Sequence, residues 1–105
     1  MSTQRETTEE ILSHLKPSGL FRVRAMFGEY ALYANDVVVA LICDDQLFVK
    51  VLPETASLDE DFPKGSPYPG AKEHYLLTDD WYHMAGDLSE VLLAASKAIG
   101  QKKKK

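Results

Sequence analysis

A chain of 105 residues, 45% apolar and 27% charged, has the length and balance of one ordinary globular domain, which excludes wholesale disorder, a collagen-like repeat and a disulfide scaffold. No apolar run approaches the roughly 18–20 residues of a membrane span, and residues 1–10 are too polar and acidic for a signal or transit segment, so no membrane partner is expected. The net charge of −4 includes four terminal lysines at 102–105; the remainder sets eight basic residues against sixteen acidic ones, which argues against general duplex binding.

In chain order, Thr8, Ile11, Leu12 and Leu15 recur at helical spacing, with Thr7/Glu10 or Thr3/Glu6 as alternative capping boxes and Pro17-Ser18-Gly19 as the stop. A β region follows. Phe21, Val23, Ala25 and Phe27 alternate with Arg22, Arg24 and Met26, and Gly28 marks a tight turn or bulge. Tyr30, Leu32 and Ala34 alternate again, and Asn35-Asp36 signals a two-residue turn. Residues 37–43 are continuously apolar and β-branched, the mark of a central strand. Asp44-Asp45 turns the chain into a fourth strand over residues 46–51. Links this short make an antiparallel meander.

Residues 53–61 suit a short helix after Pro53, and 62–72, rich in proline and glycine, read as a loop. His74, Tyr75, Leu76 and Leu77 form a fifth strand, and 79–85 a loop. The last helix is expected to begin at Asp87, with Glu90 completing a capping-box pair, and to end at Gly100. Leu88, Val91, Leu92, Ala95, Ala98 and Ile99 make one apolar stripe along it. The order predicts an α+β, two-layer fold: a mainly antiparallel sheet of about five strands with the N- and C-terminal helices packed on it. Residues 1–101 form a single domain in this reading, and 102–105 a disordered lysine tail. Leu92→Asp is expected to unfold the chain.

The run Arg24-Ala25-Met26-Phe27-Gly28-Glu29-Tyr30-Ala31-Leu32-Tyr33 resembles the N-terminal domain of the TfoX/Sxy family, marked by Arg-x-Met-Phe-Gly-Gly/Glu-Tyr-Gly/Ala-Leu/Ile-Tyr. The similarity continues through residues 39–50 and returns at Tyr68-Pro69-Gly70-Ala71-Lys72, covering about 24–99. The resemblance implies a bacterial cytoplasmic protein with a fold like that of the type III secretion chaperones. The namesake proteins regulate natural competence beside the cyclic-AMP receptor protein and carry a second, helical domain, which is expected to be missing from this short member.

Four groups of residues are candidates for function. Arg24 and Lys50, with Arg22, are expected to make a basic spot on the outer sheet face near Tyr33 and Phe48, suited to a carboxylate or phosphate. The plainer alternative is pairing with Glu29 or another local acid. Cys43 ends an apolar strand and reads as a buried structural thiol; as the one cysteine it also fits a reducing cytoplasm. His74, Asp79, Asp80 and His83 have ligand chemistry without a metal-site spacing. Trp81, Tyr82, Met84, Tyr68 and Tyr75 either form a contact patch or cap the core. No catalytic constellation or glycine-rich cofactor loop is present, so neither cofactor nor metal is expected.

Together these features argue a non-enzymatic binding or regulatory module that acts through protein–protein contacts, with Arg24, Glu29, Tyr33 and Lys50 as its partner-binding residues. A direct nucleic-acid-binding regulator and a small RNA-modifying enzyme, such as a methyltransferase, are the alternatives. An exposed edge strand makes a homodimer possible.

Overall fold

The computed structural model describes residues 4–26, 29–77 and 79–103. Phe27, Gly28, Thr3 and Thr78 lie outside the described residues, as do Met1, Ser2 and the lysines at 104 and 105. Among the described residues the α-helices and strands are, in order, α1 (Arg5–His14), β1 (Phe21–Met26), β2 (Glu29–Ala34), β3 (Val37–Cys43), β4 (Gln46–Lys50), β5 (Lys64–Gly65), β6 (His74–Leu77) and α2 (Ala85–Lys103). They build one open antiparallel sheet in the order β1-β2-β3-β4-β6-β5, with an N-terminal and a C-terminal helix. The α+β fold is as the residue pattern predicts, and β3 is an interior strand.

Both helices cover the same sheet face. Ile11 and Leu15 from the α1 side, and Leu88, Leu92 and Ala95 from α2, pack with Phe21, Leu32, Ala40, Ile42, Leu47, Val49 and Leu77 in the main core. Fully burying one such leucine is worth about 1.5–3 kcal/mol, so these stripes dominate the favourable side of folding. Leu58, Phe62 and Trp81 close the ends of this core from the connecting segments. Residues 53–60 and 79–84 wind as 3-10 helices. Tyr68 is 52% exposed, but Trp81 and Tyr75 are each 3% exposed and Tyr82 and Met84 pack on the core, so this part of the aromatic group caps it. His14 stacks beside it, its ring centroid 4.2 Å from Tyr82 and 5.8 Å from Trp81.

The hairpin turns follow from sheet twist. Asn35 and Asp36 lie at φ 51° and 65°, Asp44 and Asp45 at 54° and 61°. Two successive left-handed residues match the right-handed twist of the flanking strands, and Asn and Asp tolerate that conformation best after glycine. A register shift between β2 and β3 pairs Leu32 with Ala40 but Tyr33 with Val38. Val39 is the extra residue, and it and Ala40 both enter the core.

Boundaries differ from the sequence reading at several points, β4 ending at Lys50 rather than at residue 51 and residues 79–84 winding as a 3-10 helix rather than a loop. A sixth strand, Lys64–Gly65, sits inside the stretch read as loop; two residues beside Pro63 carry no alternation to detect. The helix α2 starts at Ala85, so Asp87 lies in its first turn. It also runs through Gly100 to Lys103. Gln and Lys are good helix formers, and a single helical glycine costs only about 1 kcal/mol. The Thr7/Glu10 capping box of α1 does not form, and the Thr3/Glu6 one rests on Thr3, outside the described residues: Gln4 is the N-cap, and Asp45 reaches it from the β3–β4 turn.

Polar ties hold the connections. Ser89, buried on α2, accepts the Lys16 N–H at 3.0 Å and donates to the Ala85 carbonyl at 2.8 Å. Thr55, fully buried, accepts the Leu52 N–H at 2.9 Å and donates to the Lys50 carbonyl at 2.7 Å.

Candidate functional site

Strand alternation sends Phe21 and Val23 toward the helices, and so sends Arg22, Arg24 and Met26 to the opposite, outer face. On β2 the same rule places Ala31 and Tyr33 outward, across from Arg24 and Arg22. β1 is an edge strand, so this hairpin forms one border of the sheet.

The outer face is not a polar surface. Ala31, Leu41, Cys43 and Phe48 form a second buried apolar cluster, with Met26, Tyr33, Val38 and Leu76 packed against it. The Pro/Gly-rich loop covers it in part. β5 pairs Gly65 with His74, at the Lys50 end of the sheet, and a side chain at Gly65 would meet the Phe48 ring at 3.9 Å. Tyr68-Pro69-Gly70-Ala71 then closes a type II turn: Ala71 N–H donates to Tyr68 O at 3.1 Å and Gly70 has φ 87°, where a side chain would be strained. The turn sends the chain back toward β6 from the other end of the sheet, which Tyr68, 52% exposed, has reached. There a cleft of about 400 Å³ is lined, among the described residues, by Met26, Glu29, Cys43 and Tyr68.

The expected partner-binding residues divide into separate neighbourhoods. Arg24 is exposed on the outer face of β1. Arg22 lies on the same face two residues earlier, its guanidinium 2.9 Å from Asp36 and 5.4 Å from the centre of the half-buried Tyr33 ring. The Arg22–Asp36 pair is exposed and therefore worth at most about 1 kcal/mol. Arg24, Arg22 and Tyr33 are thus neighbours. Lys50, at the end of β4 opposite His74, is not one of them. Two strands separate β1 from β4, which puts about 14 Å between them at the usual strand spacing. Glu29 opens β2 at the cleft, where its Oε1 accepts the Asp44 N–H at 3.2 Å.

Cys43 is buried, 3% exposed as a residue. Burial, reinforced by Glu29 and Asp44, pushes its pKa up to about 11, so the thiolate is scarce near neutrality. Cys43 and His74 lie at opposite ends of the β4 register, about 13 Å apart along the strand, too far for a thiol–imidazole pair. His74 is buried with Nδ1 2.9 Å from the Lys72 carbonyl, while His83 is exposed. Sequence reasoning did not find the cleft. Its walls come from four segments, and the signal available was that the most distinctive motifs, around Met26 and Tyr68, lie far apart in the chain.

A sequence model of the TfoX N-terminal domain matches residues 11–99. The chain is also similar to an uncharacterized 12.7 kDa protein in the trpE 5′ region of Spirochaeta aurantia, 32% identical over 99 residues, which are 94% of this chain and 85% of that protein.

Proposed function

The chain belongs to the TfoX N-terminal domain family, and from that premise we propose that it is a non-enzymatic binding and regulatory module acting through protein–protein contacts. One observation carries this reading: Arg22 and Arg24 stand side by side on the free edge of the sheet, backed by Tyr33, in a chain whose net charge is −4. Guanidinium groups on an aromatic-backed edge suit a carboxylate-bearing segment of another protein. Pairing two β1 edges would set the arginines of two copies against one another, so a different, acidic partner fits better than a second copy. Among the described residues no helix is long and apolar enough to cross a membrane, and the module's place is the cytoplasm in this reading. A part in competence regulation is its finest form.

The test is capture of partners from the native cell with the full chain as bait, followed by titration of the purified partner. Arg24→Ala should weaken binding about tenfold, the scale of one charge-assisted contact, with melting unchanged. Tyr33→Ala, Glu29→Ala and Lys50→Ala map the extent of the surface. Recovery of the same proteins at the same affinity by the Arg24→Ala/Lys50→Ala double variant would end this proposal.

A further inference from the structure

We propose that the cleft between Met26, Glu29, Cys43 and Tyr68 is a small-molecule site whose ligand is an amphiphilic cation: a compact aromatic or branched aliphatic body bearing one protonated amine. Its volume of about 400 Å³ lies within the range of small-ligand pockets. Among the described residues its apolar walls are Met26, Cys43 and Tyr68, which accept apolar shapes, and methionine adapts to several of them. The one charged group lining it, among the described residues, is the Glu29 carboxylate. The Asp44 N–H already fixes that carboxylate, so the charge is in place before a ligand arrives. Glu29 and Asp44 both disfavour a thiolate at Cys43, which means negative potential reaches the apolar wall. A cation of suitable shape is attracted there and an anion of the same shape repelled. The ring of Tyr68, half open to water, gains burial when the cleft fills. Among the described residues Arg24, Tyr33 and Lys50 do not line the cleft, so Glu29 is the one residue this inference shares with the partner-binding reading, and loss of partner binding in Arg24→Ala leaves the cleft untouched.

The experiment titrates the isotope-labelled full chain with tryptamine and, in parallel, with indole-3-propionate, which replaces the ammonium by a carboxylate on the same ring system. Amide shifts of Met26, Glu29, Asp44 and Tyr68 are followed. Tryptamine should give saturable shifts at these amides, and indole-3-propionate should bind at least about tenfold more weakly, the scale of one charge-assisted contact. Glu29→Gln should abolish that preference, Glu29→Asp should keep it, and Tyr68→Ala, in an exposed loop, should weaken tryptamine. Equal affinity for the two probes, a preference that survives Glu29→Gln, tryptamine affinity unchanged in Tyr68→Ala, or no saturable shift by about 10 mM would each overturn the proposal.

Discussion

Asp45 governs the start of α1 from the opposite side of the sequence. Its carboxylate accepts the Gln4 N–H at 2.8 Å and the Thr7 hydroxyl at 2.9 Å, across 41 and 38 residues. It does so from a left-handed backbone with φ 61°. Substitution therefore moves two terms. Losing an N-cap costs about 0.5–2 kcal/mol, toward the lower end at an exposed site. Placing a residue without a local polar side chain at positive φ adds about 1 kcal/mol. Asp45→Ala is expected to lose about 1.5–3 kcal/mol, a fall in Tm of about 6–20 °C for a domain of this size. Asp45→Asn keeps the turn and an acceptor oxygen but loses the charge at the positive helix end, about 0.3–1 kcal/mol. Asp45→Gly loses the cap while relaxing the turn, and should fall between them. Far-UV circular dichroism melts give the order, and hydrogen exchange at residues 5–8 should speed up in Ala and Gly. An Asp45→Ala protein that melts with the wild type, or a Gly variant more stable than Asn, would refute a cross-chain cap.

Leu92, fully buried between α2 and the sheet, should cost about 2–5 kcal/mol when cut to alanine; urea denaturation reads this directly, and a loss below about 1 kcal/mol would contradict the packing. The raised pKa of Cys43 means the folded state keeps a proton that the unfolded chain releases. Its contribution to stability is whole below the ordinary value of 9.0 and is lost as pH climbs to about 11. Cys43→Ala should flatten that alkaline limb, and iodoacetamide should label the wild-type thiol slowly until the protein unfolds. His74 has the opposite sign: burial, aided by Lys50 and opposed by the Lys72 carbonyl, lowers its pKa below 6.5. Its contribution is present above 6.5 and lost as pH falls through the lowered value, so the wild type should lose more Tm on acidification than His74→Gln.

The fold was legible where one period dominates. The α2 stripe through Leu88, Leu92 and Ala95 and the continuous run Val37–Cys43 each have a single sensible packing, and the structure adopts it. What escaped is held by polar pairs without periodicity. Ser89 reaches Lys16 across 73 residues. Asp45 takes the place of the local Thr7/Glu10 capping box because, in the folded chain, the β3–β4 turn lies against the first turn of α1. Hydrogen bonds of this kind depend on which elements meet in space, and alternation within one strand carries no record of that.

The same reasoning explains why the basic spot divided and the cleft went unseen. Parity places Arg24, Tyr33 and Lys50 on the outer face, yet distance across a sheet depends on strand order, and β2 and β3 stand between Arg24 and Lys50. Parity also marks that face as solvent-facing, while Leu41, Cys43 and Phe48 there need a cover. The cover begins at β5, two residues whose pairing with β6 delivers the chain at the Lys50 end. From there residues 65–68 bring Tyr68 to Cys43, and the type II turn at Pro69-Gly70 returns the chain toward β6. A turn that requires glycine, placed opposite a hairpin that presents Met26 and Glu29, joins the two most distinctive stretches of the sequence at one cleft. Packing alone would be served by any apolar loop over Phe48. The Glu29 carboxylate, held by the Asp44 N–H, sets a negative charge beside the cleft's apolar walls, and that charge is what a cationic ligand would use.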